Sequence, residues 1–301
     1  MKFSIMKRKY WFFALSVLII VPGIISMATQ GFNLGIDFTG GTLLDLKFAR
    51  PVTVAEVRDV LKDFHLDNSV IQLASAEKTD SSRNVFVRSK VLEDNERRAI
   101  MADFEKKLGA FEIMRVEKVG AIIGTELTRQ AMIAVLVAWL VIIAYISYRF
   151  EYRFGVAAIV SLVHDVLVVM GVFSILQKEI DASFVAAVLT MIGYSINDTV
   201  VIFDRIRENL KVVKKGETVS DMVDRSIWQT MTRSIYTVLT VQMCVTALYF
   251  LGGETTKTFA LTLLIGFTTG MYSSIFNASP IWVLWKEWDE RKRVARRTRT
   301  A

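Results

Sequence analysis

The 301-residue chain is 52% hydrophobic, holds three prolines and has a positive mean hydropathy, which excludes a wholly soluble fold and points to lipid. Its net charge of +7 is sorted by segment in the pattern of a membrane protein, so no nucleic-acid partner is implied. One cysteine, Cys244, and two histidines provide neither a disulfide framework nor a metal-ligand cluster, and no Gly-x-x-x-x-Gly-Lys-Ser/Thr loop is present to cradle a nucleotide.

Crossing an apolar layer of roughly 30 Å takes about 20 helical residues, and six stretches qualify. After a basic tail, 1–10, the first span covers 11–29. Its basic start, apolar run and Ser26-Met27-Ala28 resemble a leader with a cleavage site. The apolar length from Trp11 to Ala28 and the interfacial cluster Tyr10-Trp11-Phe12-Phe13 favour a retained helix.

An inserted domain occupies 30–126. Thr42 to Phe48 reads as a strand that Pro51 ends. Thr53-Val54-Ala55-Glu56 has capping-box spacing and opens a helix to about Phe64, with Val57, Val60, Leu61 and Phe64 on one face. Ser69–Leu73 and Asn84–Arg88 read as strands separated by a polar turn. A charged helix from Glu93 to Leu108 turns Ile100, Met101, Phe104 and Leu108 inward and stops at Gly109, and Phe111–Val116 supplies the last strand. The order β-α-β-β-α-β is that of a ferredoxin-like split fold, so the expected class is a membrane all-α protein with an inserted ferredoxin-like α+β domain.

The remaining spans are 131–148, 155–176, 183–203, 234–253 and 258–284, with a polar loop at 204–233 and a basic tail at 285–301. Trp282, Trp285 and Trp288 mark the expected exit of span six at the interface. The tail's basic run is expected to lie on anionic headgroups. Lys and Arg number four in the N-terminal tail, seven from Arg205 to Arg233 and seven from Lys286 to Arg299, whereas the short opposite loops hold only Lys178 and Lys257. By the positive-inside rule both termini are cytoplasmic and the inserted domain is outside; the 15 basic residues between spans one and two do not count, because long domains escape the rule.

A charge inside a span costs several kcal/mol and so demands a partner or a role. Asp198, in Gly193-Tyr194-Ser195-Ile196-Asn197-Asp198-Thr199 of span four, lies six residues, roughly 9 Å, inside the interfacial Asp204. A carboxyl at that depth is pushed toward neutrality and changes its proton affinity when a cation approaches or leaves; alternatively, neighbouring hydroxyls hold it as a static group. Arg233, at the entrance of span five, is at a similar depth and either pairs with Asp198 or snorkels to the interface. Asp204 and Arg205 are placed at the end of span four, in a solvated or docking role. His164 and Asp165 sit near the centre of span three; adjacent residues point about 100° apart, so they are not expected to pair with each other. His164 is a candidate proton relay, and a packing role is equally open for both. Gln242, Asn277, Ser273, Ser274 and Gly270 read as polar and small residues that hold helices together.

The stretch Leu34-Gly35-Ile36-Asp37-Phe38-Thr39-Gly40-Gly41-Thr42 resembles the signature of the SecD/SecF protein-export family. Paired glycines there allow a tight backbone where span one hands over to the first strand. The match is strengthened by His164-Asp165, by the span-four motif ending Asp204-Arg205-Ile206-Arg207-Glu208-Asn209, and by Thr232-Arg233-Ser234. The short outer domain and total length resemble the SecF branch rather than the SecD branch.

The resemblance implies a non-enzymatic auxiliary unit of the Sec translocase in the bacterial inner membrane, related in architecture to resistance-nodulation-division transporters. It implies pairing with SecD into a twelve-helix assembly, association with the SecYEG channel and YajC, and an indirect link to the SecA ATPase. Unfolded preprotein would be handled on the outer face, with protons and no other cofactor. Proton transfer is carried over onto Asp198 and Arg233, and more loosely onto His164 and Asp165. Asn197, Asp204, Arg205, Gly35, Asp37, Gly40 and Gly41 are carried over as structural residues. Protonation of Asp198 from outside and release inward near Arg233 would shift spans four to six, with Gly35–Thr42 and Gly120–Thr125 as connectors to the outer domain. The rival classes are one half of a proton-coupled small-molecule or lipid permease, and a scaffold whose polar spans only mediate assembly.

Overall fold

The structure is a computed structural model that describes residues 3–73 and 81–300. The chain divides into a helical unit, residues up to Asn33 and from Ala134 onward, and an inserted unit, Leu34–Ile133.

Among the described residues, six helical stretches are long and apolar enough to cross a membrane. In chain order they are α1 Lys9–Thr29, α5 Ala121–Arg149, α6 Tyr152–Ile175, α7 Ala182–Leu210, α8 Val219–Leu251 and a final helix in two parts, α9 Glu254–Ser273 and α10 Ser279–Thr300. A π-helical turn, Ser274–Ala278, joins the two parts. The inserted unit supplies α2 Ile36–Thr39, α3 Val54–Lys62 and α4 Asp94–Leu108, with strands β2 Gly41–Thr53, β3 Val70–Leu73, β4 Ser81–Ser89 and β5 Phe111–Val119. Two-residue strands β1, Asn33–Leu34, and β6, Glu179–Ile180, follow α1 and α6.

The helices outrun the apolar stretches. Span two begins at Ala121, so the expected connector Gly120–Thr125 is already helical after its first residue. The expected loop 204–233 shrinks to 211–218, because α7 runs on to Leu210 and α8 starts at Val219. Hydropathy marks where lipid stops, whereas a helix stops where its end groups are satisfied. Thr218 supplies such a stop, its Oγ1 accepting the amide N–H of Asp221 at 3.1 Å. The polar extensions are tied together by Asn209, whose Nδ2 donates to Ser226 and Gln229 at 2.8 Å while Arg225 donates to its Oδ1 at 3.0 Å.

The N-terminal segment also departs from a free tail. Ile5 and Met6 are buried in the apolar core of the bundle, and a 3-10 turn, Met6–Arg8, leads into α1. Asp224 of α8 holds this segment, accepting the amide N–H groups of Ile5 and Met6 at 2.9 and 3.0 Å. Trp282, expected at an interface, is fully buried and stacked on Phe154 with ring centroids 4.6 Å apart; an indole is as good a core filler as an interface anchor. Trp288 is exposed.

Helix α6 is the most enclosed span, with 56% of its apolar window buried by protein, against 6% for α5. It packs closely on α1 where Gly23 faces Gly171: a Cβ built on either would sit 2.8 Å from the other's Cα. That approach lets helix backbones meet without side chains between them, which matters in lipid because packing rather than water exclusion drives association.

In the inserted unit, the strand order is β3-β4-β2-β5 and all three pairings are antiparallel. Leu44, Leu46, Phe48, Val85 and Val87 of the sheet bury against Val57, Val60 and Leu61 of α3 and Ile100, Phe104 and Leu108 of α4. Pro51 does not end β2, which continues to Thr53; the ladder with β4 shifts register between Lys47 and Val52, so the missing proline N–H falls where pairing is interrupted. The polar turn expected between β3 and β4 includes 74–80, outside the described residues. The capping box forms: Thr53 Oγ1 accepts the amide of Glu56 at 3.2 Å, and Glu56 accepts the amide of Thr53 at 2.7 Å. That amide, and then Arg50 at 2.9 Å, hold the Glu56 carboxyl below the usual carboxylate range.

Two predictions follow from this packing. Gly171→Ala forces a methyl into the backbone of α1 and should lower bundle stability by about 1–3 kcal/mol in detergent unfolding, with the inserted unit unaffected. Thr53→Ala should cost about 1 kcal/mol, seen as faster amide exchange confined to α3. Because the Glu56 pKa is depressed on folding, its contribution is complete above the ordinary carboxylate range and is lost as the pH falls through its folded value, so the stability difference between Glu56→Gln and the native chain, read by denaturant unfolding, narrows at acid pH.

Candidate functional site

Asp165 and Asp198 lie within apolar spans of the helical unit, on neighbouring helices, and each is met by serine hydroxyls from other helices. Asp165 is fully buried on α6. Its Oδ2 accepts from Ser195 Oγ of α7 at 2.6 Å and from Ser273 Oγ at the end of α9 at 2.8 Å. Its Oδ1 lies 3.0 Å from Nδ1 of His164. The expectation that these neighbours would not pair is therefore corrected. The 100° step separates their Cα–Cβ directions, but the imidazole is long enough to fold back onto the next carboxyl, and an apolar surrounding leaves a carboxylate few other donors. His164 also stacks on Tyr272, with centroids 5.9 Å apart, and its buried Nε2 has no partner among the described residues.

Asp198 is half-buried on α7, one turn beyond Ser195. Ser234 Oγ of α8 donates to its Oδ1 at 2.6 Å, and Ser274 Oγ, the first residue of the π turn, donates to its Oδ2 at 2.5 Å. All four serines are buried, Ser195 at 4% exposure and the other three at 0%. These hydroxyls were readable in the sequence only as general helix-packing groups or motif letters. No spacing in the sequence singles them out: Ser195 lies three residues before Asp198 yet donates to Asp165 of another helix.

Arg233 is exposed on α8, and no ion pair joins it to Asp198 among the described residues. Of the Thr232-Arg233-Ser234 triplet it is Ser234 that reaches the carboxylate, because the preceding residue turns about 100° away around the helix. Asn197 is exposed. Asp204 and Arg205 are not at a helix end but six and five residues inside α7. Asp204 pairs with Arg207 at 2.8 Å and Arg149 at 3.5 Å, and Arg205 with Glu208 at 3.0 Å, so these charges brace the polar extension. Gln242 clips α8 to α9 by donating to the Leu264 carbonyl at 2.9 Å, and Asn277 of the π turn donates to Ser16 of α1 at 3.0 Å.

The remaining candidates belong to the inserted unit. Gly35 caps α2, and Asp37 lies in its first turn. Gly40 and Gly41 have φ of +69° and +133°, and a Cβ on Gly41 would lie 2.4 Å from the Ser89 carbonyl oxygen. The paired glycines are thus required by backbone geometry, as expected.

Residues 100–288 match the family model described as protein export membrane protein SecD/SecF, C-terminal, and residues 25–52 match the SecD/SecF GG motif. Among curated proteins, the protein translocase subunit SecF of Acidaminococcus fermentans is 50% identical over 287 residues, 95% of this chain and 98% of that protein. The one from Desulfurispirillum indicum is 40% identical over 290 residues, 93% of this chain and 91% of that protein. Among solved structures, SecDF of Thermus thermophilus, described as a translocon-associated membrane protein, superposes with a TM-score of 0.86 at 37% identity over 95% of this chain. SecDF in a super-membrane-facing form gives 0.72 at 36% identity over 98%. The chain spans 39% and 40% of the length of those two SecDF chains.

The two carboxylates should differ in what their removal costs. Asp165→Ala removes the shared acceptor of three buried groups and should destabilise the bundle by about 3 kcal/mol, whereas Asp198→Ala, at a half-buried site with two donors, should cost about 1 kcal/mol, as read by equilibrium unfolding in mixed micelles.

Proposed function

This chain belongs to the SecD/SecF family of protein-export membrane proteins, and we propose that it works as a SecF-type auxiliary subunit of the Sec translocase in which Asp198 carries protons that drive preprotein passage. The observation that carries the proton assignment is the setting of Asp198. It lies within a membrane-crossing helix, with both carboxylate oxygens held by serine hydroxyls and, among the described residues, no cation paired to it. Hydroxyls serve either protonation state, since they donate to a carboxylate and accept from a carboxylic acid. A bound cation would hold the group ionised. Asp198 is therefore suited to gain and lose a proton in place.

In this reading Arg233 is a mobile modulator that approaches Asp198 from the exposed face of α8 when the proton leaves. His164 and Asp165 form a second, more deeply buried group. A potential of about 100 mV supplies about 2.3 kcal/mol per charge, enough to bias the packing of α7, α8 and α9 but little per step, so several protons are spent per substrate.

The partner is SecD, the other half of the SecDF chains that this sequence resembles. SecYEG and YajC are proposed as the neighbouring channel components, and SecA as the motor that begins the passage. We read the inserted unit as a ferredoxin-like domain on the outer side of the inner membrane, supported by its strand order and by the sorting of Lys and Arg onto the segments that carry both termini.

Asp198→Asn, in membrane vesicles containing the SecD partner, should leave insertion and assembly intact and abolish the fraction of export that uncouplers remove from the native complex. Undiminished, uncoupler-sensitive export by that variant rejects the assignment.

A further inference from the structure

The serines at 273 and 274 are adjacent in the chain, yet they donate to different carboxylates on different helices, Ser273 to Asp165 of α6 and Ser274 to Asp198 of α7. Each has a second acceptor within its own helix: Ser273 Oγ lies 3.2 Å from the Gly270 carbonyl oxygen, and Ser274 Oγ lies 3.0 Å from that of Met271. A hydroxyl has one proton, so each serine can point either at the carboxylate or at its own backbone. The pair sits where the α-helical ladder gives way to the π turn, and π turns within helices are frequent at functional sites.

We propose that Ser273 and Ser274 are positioning residues that link the two carboxylates, so that protonation of Asp198 raises the proton affinity of Asp165. The inference deepens the reading of Asp198 as the proton-carrying group and rests on it. When Asp198 is ionised, Ser274 donates to it and fixes the start of the π turn. When Asp198 takes a proton, its new O–H donates to Ser274 Oγ and the serine proton turns to the Met271 carbonyl. The anchor on an anion is then gone. Ser273, the last residue of α9 and joined directly to that turn, loses its hold on Asp165 and turns to the Gly270 carbonyl. Asp165 has lost a donor that favoured its charged form, and so it binds a proton more readily.

The sign of this link separates it from simple electrostatics. Direct repulsion between two nearby carboxylates makes them anticooperative, because neutralising one makes the other easier to ionise. The serine link makes them cooperative. The titratable or charged groups nearby are His164 beside Asp165, Tyr272 stacked on His164, Tyr194 one turn back from Asp198, and Arg233 adjoining the Ser234 donor. None of them bridges the two carboxylates.

The test is an infrared pH titration of the protonated-carboxyl bands in the full chain in lipid nanodiscs, with Asp165→Asn and Asp198→Asn used to assign each band. Ser274→Ala removes a donor from Asp198 without changing any charge. Its Asp198 midpoint should rise by about one pH unit, tenfold in proton affinity, and the Asp165 midpoint should rise with it. Ser274→Thr, which keeps the hydroxyl, should restore both. Should the alanine variant fail to insert, Asp198→Asn in the native background must raise the Asp165 midpoint in the same way. An Asp165 midpoint that stays put or falls, while Asp198 shifts as expected, overturns the serine link and leaves the proton-carrier reading standing. An Asp198 band that does not titrate in the native chain overturns both.

Discussion

A carboxylate removed from water must find its hydrogen bonds within the protein, and the interior of the helical unit is arranged around that requirement. Neither Asp165 nor Asp198 has a lysine or arginine bound to it among the described residues; each is met by two hydroxyls delivered from other helices, with His164 completing the shell of Asp165. Delivering a hydroxyl takes a short side chain on a closely approaching backbone. Serine can reach only if the helices nearly touch, so the chemistry of the site sets the spacing of the bundle as much as the bundle positions the site.

That spacing is met by small residues. Gly270 faces Ser195, and a Cβ at position 270 would lie 3.0 Å from the Ser195 Cβ. Ser195 is the α7 donor to Asp165, so the absence of one side chain on α9 is what admits that hydroxyl. Gly23 and Gly171 do the same for α1 and α6. Around this polar centre the apolar residues do conventional work, with Phe154, Phe203 and Trp282 filling the space toward the end where the N-terminal turn docks.

The π turn is the junction of these constraints. Its first residue serves Asp198, the residue before it serves Asp165, and Asn277 reaches Ser16 on α1. An uninterrupted α-helix has one fixed angular step, so it offers consecutive side chains to its neighbours at one set of directions. A widened turn adds a residue and shifts the phase, which lets a single segment address three helices at once.

What the residue string determined by itself was whatever depends on local sums. Six spans follow from apolar length, the β-α-β-β-α-β order of the inserted unit from alternating periods, the capping box at Thr53 and Glu56 from spacing, and the need for glycine at 40 and 41 from the paired motif. Asp165 and Asp198 were likewise visible, because a charge in an apolar run is conspicuous. Only the tertiary structure decided which groups meet them. It set Ser234 rather than Arg233 on Asp198, folded His164 onto Asp165, drew Trp282 and Ile5 into the core, and carried the helices past their apolar stretches into the expected loops. The reason is that a serine looks the same in the sequence whether it bonds its own helix or a carboxylate on another. Choosing between them depends on interhelical distances of a few ångströms, which are set by the packing of all the helices together and are written in no single one of them.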